Sequence, residues 1–370
     1  MKNAPKNYMT KIIDKILFFN LLNSCIDKKS MYICRDMFSK YTFKLVIISF
    51  LGILCTLDAK AQDPEFSQFY GNPLYTNPAF AGASGGCGRV VMCYRNQWPG
   101  LARTFETQTV SWDRDYTNLA GGLGLMVTND VAGAGRLRRL TASAIYAYNT
   151  KISYDVSLRF GMQASYYQQS IDWSKLTFSD MIDPRTGFQN AAGGSNPTSE
   201  IKPTETKTFP NFSTGAVLYS DKYYVGMAVH NLIEPNQSFY NSTGPGTNLP
   251  RRYTIHGGMT IPLGVRQQNF TISPNMLFMV QKQFTQINFG FYINKSSFIT
   301  GLWYRQTRPN SDALMVLVGF KTPTFKVGYS YDLTVSNARS AATGSHEVTC
   351  GINIGCSSRS GAKMLVCPDF

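Results

Sequence analysis

Three histidines, at positions 230, 256 and 346, are the only imidazoles in the 370 residues. One sits in Ser345-His346-Glu347, which places a hydroxyl, a base and an acid side by side. The spacing is wrong for nucleophilic catalysis. Adjacent residues of an extended chain point to opposite faces, and catalytic triads are assembled from distant positions. No His or Cys spacing matches a zinc site. The glycine pairs 85–86 and 121–122 precede no helical pattern and cradle no phosphate. The residues therefore predict neither an enzyme nor a cofactor or metal site.

Three other groups of residues have chemistry to explain. Arg89, Arg95 and Gln97 alternate on one face of an extended run, with Val90, Met92 and Tyr94 on the other. Such a row forms a charge-assisted network when it meets carboxylates, and Glu106 or Asp113 on the next run are the expected partners of Arg95. Asn72-Pro73 and Asn77-Pro78 lie five residues apart, each followed by an apolar-aromatic pair, Leu74-Tyr75 and Ala79-Phe80. Asn-Pro opens turns, and proline cannot donate to a strand ladder. Residues 62–86 are thus an ordered non-strand segment at a barrel rim or entering its lumen. Asn72, Pro73, Tyr75, Asn77, Pro78 and Phe80 then form a plug or a docking surface, or a rigid lead-in to the first strand. The third group is cysteine, at 87, 93, 350, 356 and 367 in the downstream chain.

These residues are positioned by a long alternating pattern. Charged residues are 16% of the chain, against roughly 25% in average soluble domains. Aromatics are 13%, with 21 Tyr and 24 Phe. Helical membrane proteins are excluded because no apolar run approaches about 18 residues. Disorder and coiled coils are excluded by the abundance of aromatics and the absence of heptads. Between Cys87 and Cys356 fourteen alternating runs follow one another, most of about 9–12 residues, the length of a tilted membrane strand. Connections after even-numbered runs are short, and the long ones, chiefly 171–208 and 232–250, all follow odd-numbered runs. Sorting by parity is expected of a barrel with inner turns and outer loops, and not of a sandwich. Val225, Met227, Val229, Ile255, Gly257 and Met259 read as lipid-facing. Tyr146, Tyr148, Tyr166, Tyr167, Tyr219, Tyr223, Tyr224, Tyr329 and Tyr331 read as interfacial girdles. The predicted fold is all-β: a single transmembrane antiparallel β-barrel of about fourteen strands, closed by strand 1 pairing with strand 14. Closure is required because hydrocarbon tolerates no open sheet edge. It also brings Cys87 beside Cys356 or Cys367, a disulfide at the seam. Cys93 and Cys350 belong to opposite faces by parity and are not expected to pair.

The chain ahead of this pattern reads as targeting sequence. Residues 37–44 are basic, Leu45 to Leu57 is a 13-residue apolar run, and Ala59-Lys60-Ala61 is a small-x-small site. That order is a signal peptide over 37–61. Residues 1–36 then form a spurious or unstructured leader, 62–86 a periplasmic N-terminal segment, 87–356 the barrel and 357–370 a periplasmic C-terminal tail. The formal charge is +14, and residues 62–370 keep 26 basic against 18 acidic groups. This excess suits an acidic neighbour or a generally basic surface, and export argues against nucleic acid as a partner.

The run from Gln62 to Tyr70, then Asn72-Pro73-Leu74-Tyr75 and Asn77-Pro78-Ala79-Phe80-Ala81-Gly82, followed by Tyr94-Arg95-Asn96-Gln97-Trp98-Pro99, resembles the PorP/SprF family of type IX secretion and gliding-motility proteins of the Bacteroidetes. Gly344-Ser345-His346-Glu347 and Cys367-Pro368 are similar too, so the resemblance spans 62–370. It implies an outer-membrane barrel, surrounded by lipid, that supports secretion or surface attachment of proteins. The implied partners are periplasmic ring or lipoprotein subunits and a secreted adhesin or cargo domain. The competing function is a general diffusion or uptake channel.

Overall fold

Alternation becomes strand after strand. The computed structural model describes residues 63–84, 88–100, 105–133, 136–183, 185, 187, 197–240, 247–263, 270–308, 311–335 and 344–355. The first strands are β1 (Gly88–Gln97), β2 (Phe105–Tyr116), β3 (Gly121–Ala132), β4 (Leu137–Lys151) and β5 (Ser157–Ser170). Next come β6 (Thr206–Tyr219), β7 (Tyr223–His230), β8 (Arg252–Met259), β9 (Ile261–Pro262) and β10 (Phe270–Gln281). The last are β11 (Phe284–Lys295), β12 (Phe298–Arg308), β13 (Ser311–Lys321), β14 (Phe325–Thr334) and β15 (Ser345–Ile354). Each of these strands pairs antiparallel with its neighbours. The two-residue β9 continues β8 past Thr260 on the same edge of β10. The result is a closed fourteen-stranded antiparallel barrel with one short extra strand.

The seam is β1 on β15, in register from Gly88 opposite Ile354 to Gln97 opposite Ser345. Met92 faces Cys350 and Cys93 faces Thr349. Cys93 and Cys350 are both free thiols, the first inside the wall and the second on the other face. Cys87, Cys356 and Cys367 lie outside the described residues, and with them the seam disulfide.

The two faces differ as solvents require. Outward positions carry Met92, Leu125, Met162, Met227, Met276 and Val318, all at least half exposed. A belt of such side chains around the whole wall is hostile to water and suited to lipid. Among the described residues no helix is long and apolar enough to cross a membrane, so the strands make the crossing. Inward positions carry many Arg, Asp, Asn, Gln, Ser and Thr, together with an apolar and aromatic cluster that includes Met126, Ile145, Tyr224, Tyr292 and Trp303. Three of the expected girdle tyrosines point into the barrel instead. Tyr219 and Tyr224 are only 3% and 1% exposed and point inward, because each alternates with an outward neighbour, Leu218 or Tyr223. Tyr167 likewise leaves the girdle to stack on Phe209.

The connections sort as expected. Turns after β2, β4, β6, β11 and β13 are short, and the long crossings β5–β6 and β7–β8 share the opposite rim. In outer-membrane barrels the short-turn rim faces the periplasm and the long-loop rim faces outward. The rims are called inner and outer accordingly.

Candidate functional site

The barrel is not hollow. Residues 63–84 lie inside it, and Gln68, Asn72, Leu74, Asn77 and Ala79 have no exposed surface at all. Both Asn-Pro pairs act as helix starters. Proline at the first helical position lacks only an N–H that would have no partner anyway. Pro73–Thr76 forms one α-turn and Pro78–Phe80 one 3-10 turn. The Asn77 side chain caps the second by accepting from the Ala79 N–H at 2.9 Å. The wall makes room for this turn with glycine. A Cβ on Gly161 would strike the backbone of Pro78 and Ala79, and one on Gly215 would strike the Asn77 amide.

Four sets of contacts fix the path of the segment. At the outer rim the Asp63 carboxylate accepts from Arg139 at 3.1 Å, Asn231 at 2.8 Å and Gln281 at 3.1 Å. These partners sit at the outer ends of β4, β7 and β10. Arg252 donates to the Tyr75 hydroxyl at 3.2 Å and lies 4.9 Å over its ring. A little deeper, Glu347 on β15 accepts the backbone N–H groups of Ser67 at 2.7 Å and Gln68 at 2.9 Å. Arg95 bridges Glu347 at 3.1 Å and Asp332 at 3.0 Å, and Arg305 reaches Asp332 at 3.1 Å. The Ser67 hydroxyl donates to Asp332 at 2.6 Å and accepts from Arg95. Two guanidinium groups thus balance two carboxylates, all four almost fully buried.

At mid-depth the packing is aromatic. Phe69 meets Trp303 edge-on at 4.9 Å, and Tyr70 meets Tyr224 edge-on at 5.9 Å. Edge-to-face pairs of this kind add to the simple burial of area. The Asn77 amide donates to the carbonyls of Met227 at 3.1 Å and Ala216 at 3.3 Å, and contacts His256 Nε2 at 3.0 Å. Near the inner rim the Gly82 N–H donates to Asp113 at 2.8 Å, and Asp113 is paired with Arg89 at 2.9 Å. Arg159 donates to the Ala81 carbonyl at 3.0 Å and to Asp115 at 3.0 Å. The segment therefore runs the length of the lumen, from the outer rim at Asp63 to the inner rim at Gly82. Its polar backbone is satisfied by its own turns between Gln68 and Ala83 and by wall side chains at Ser67, Gln68, Ala81 and Gly82, rather than by a ladder, as buried amides require.

Several expectations meet this geometry directly. Of the six residues assigned to a plug, docking or lead-in role, Asn72, Pro73, Asn77, Pro78 and Phe80 are buried and Tyr75 is half-buried. Tyr75 and Asn77 bond to the wall and Pro78 packs against Gly161, and the five buried residues offer no free surface. Arg89 and Arg95 both face the lumen and are ion-paired, but with partners different from those expected of Arg95. Asp113 binds Arg89. Glu106 stands opposite Asn96 and shares that residue's face, so Arg95 turns across the seam to β14 and β15. Gln97 is half-buried at the outer end of β1. The missed residues are Asp63, Ser67, Gln68, Arg139, Arg159, Arg252, Asp332 and Glu347. The available signal was an arginine or carboxylate at an inward position of an otherwise neutral strand. Ser345, His346 and Glu347 do alternate between faces: Ser345 and Glu347 are buried inside, while His346 accepts or donates at 2.7 Å to Tyr329 outside. Among the described residues no three His, Cys, Asp or Glu side chains cluster as metal ligands.

The long β5–β6 crossing carries its own clasp. Asp180 accepts the Ser199 N–H at 2.7 Å and the Thr198 hydroxyl at 2.9 Å. The Ser199 amide, aided by the Thr198 and Ser199 hydroxyls, holds the Asp180 carboxyl below its ordinary range.

A family model, that of the type IX secretion system membrane protein PorP/SprF, matches residues 58–352. No curated protein matches the sequence. Among solved structures, the outer membrane protein Omp33 of Acinetobacter baumannii is similar at 8% identity, over 73% of this chain and 100% of that one, with a TM-score of 0.41. A FadL homologue of Pseudomonas aeruginosa is similar at 12% identity, over 77% of this chain and 94% of that one, with a TM-score of 0.40. Neither likeness bears on function.

Proposed function

The chain belongs to the PorP/SprF family of type IX secretion system membrane proteins, and on that premise we propose that it is a closed platform of the secretion apparatus rather than a conduit. One observation carries the reading: residues 63–82 occupy the lumen from rim to rim, bonded to the wall at every level. A general diffusion or uptake channel needs an open polar path, which a buried segment of this kind denies. A platform needs only two rims and a rigid wall. In this reading the outer loops, 171–208 and 232–250, hold a secreted adhesin or cargo domain. The inner rim meets periplasmic ring or lipoprotein subunits. The segment itself braces the wall from within, so that load on one rim is borne by the whole barrel.

Gene deletion tests the reading. Surface-held type IX cargo, measured as protein shaved from intact cells by protease, is expected to disappear while the outer membrane stays intact to small solutes. Unchanged cargo at the surface, in a strain without a second family member, contradicts the platform. A selective loss of solute uptake would favour the channel instead.

A further inference from the structure

The outer rim is uneven. The long strands β4, β5 and β6 rise together, with β5 and β6 paired all the way to Ser170 opposite Thr206. The next strand is much shorter: β7 pairs with β6 only between Thr214 and Tyr219. One further bond, from the Leu232 N–H to the Phe212 carbonyl at 3.0 Å, ends the contact. Asn231 and Glu234 adopt left-handed φ of 61° and 46°, which turns the chain away from the line of β7.

Above Phe212, then, β6 has a free edge. Backbone groups of alternate residues point to the same side of a strand. Phe212 faces β7, so Pro210, Thr208 and Thr206 do too. Among the described residues no hydrogen bond reaches the N–H or C=O of Thr208 and Thr206, or the C=O of Pro210, from that side. The loop after β7 does approach, but through side chains on the inner face: Lys207 Nζ donates to the Ser238 carbonyl at 2.8 Å, and Asn211 donates to Asn231 at 2.7 Å. Lysine on an edge normally guards it against pairing. Here the lysine is withdrawn inward, and the outward side chains are the uncharged Thr206 and Thr208.

This edge lies clear of lipid. Outward residues of the same strands are apolar as high as Met162, Tyr166 and Phe212. Beyond them stand Gln168, Thr208, Thr206 and Arg138, all exposed and polar or charged. An unpaired strand edge is forbidden in hydrocarbon and permitted only in water. Apolar side chains reappear beside the free edge. Ile233 is 50% exposed just past its lower end. Ile201, five residues ahead of Thr206 in the chain, is 78% exposed, and Tyr240, whose hydroxyl donates to the Ile201 carbonyl, is 57% exposed.

We propose that the β6 edge from Thr206 to Pro210 is a strand-addition site for an extended segment of a secreted polypeptide at the outer face. A row of alternating N–H and C=O groups two residues apart is matched by another strand, and the flanking Ile201, Ile233 and Tyr240 accept alternate side chains of that strand. Lipid offers no such row, and the filled lumen offers no competing berth. Pro210 supplies only an acceptor, so the added strand's ladder starts at Thr208. The proposal rests on the platform reading and specifies how the platform holds its cargo.

Thr208→Pro deletes one of the two donors of the edge without touching the β5 side of the ladder. Thr208→Ala keeps it. Protein shaved from intact cells and protein shed into the medium are compared in wild type, both variants and the deletion strain, with heat-modifiable gel mobility reporting that each barrel is folded. The expected result is cargo lost from the surface and recovered in the medium for Thr208→Pro, and wild-type retention for Thr208→Ala. Full retention by folded Thr208→Pro, in a background where deletion sheds cargo, overturns the edge and leaves the platform standing. Full retention by the deletion strain overturns the platform itself. Should Thr208→Pro fail to fold, amide exchange decides. The 206–210 peptide is expected to be protected in cargo-bearing membranes and unprotected after protease stripping, and equal exchange in both overturns the proposal.

Discussion

Replacing residues 63–82 with a short flexible linker turns a barrel that passes no steady current in planar bilayers into one that conducts in stable steps. The wall does not need the segment to close. β1 begins at Gly88, and its ladder to β15 runs from there to Gln97. What the segment does is fill a polar bore. Without it, Arg95, Arg305, Asp332 and Glu347 face water, which solvates them, and the bore crosses a hydrocarbon layer about 30 Å thick. Heat-modifiable mobility establishes that the shortened barrel is folded before current is recorded. A folded, shortened barrel that stays silent would mean that something other than this segment closes the lumen.

Glu347→Ala is expected to cost about 3–5 kcal/mol of unfolding free energy in lipid, read from urea titration of the reconstituted barrel. Glu347 is 1% exposed and does three things at once: it accepts the Ser67 and Gln68 amides, and it pairs with Arg95. Its loss leaves a buried guanidinium with one carboxylate shared between two arginines, and strands two backbone N–H groups. Such groups are costly because nothing replaces their partners. The comparison is Glu205→Ala in the outer loop, where the Lys202–Glu205 pair is more than half exposed on both sides. Exposed pairs are worth at most about 1 kcal/mol, so that variant is expected to unfold with the parent. Equal effects of the two substitutions would show that the lumenal cluster carries no special load.

The barrel was legible in the sequence because its signal is local. Period-two alternation is written into each strand, and lipid outside with polar side chains inside leaves little doubt over which face is which. The fourteen alternating runs therefore become a fourteen-stranded wall. The interior was less legible because its contacts join residues far apart in the chain. Asn72-Pro73 and Asn77-Pro78 announce ordered turns, but nothing local says that Asn77 will lie against Met227 or that Ser67 will cap Glu347. Arg95 shows the limit well. Parity placed it in the lumen correctly. Its partner depended on the register across the seam, where Arg95 stands opposite Glu347 rather than beside Asp113. Tyr224 shows another limit. Adjacent tyrosines at 223 and 224 look like an aromatic girdle, yet alternation permits only one of them to reach lipid.

A density map of the full chain in lipid nanodiscs bears most directly on whether the lumen is filled. The expected map shows unbroken density through the barrel, from Asp63 beside the outer ends of β4, β7 and β10 to Gly82 beside Asp113 at the inner end of β2. A closed fourteen-stranded wall around an empty, water-filled bore would contradict the account.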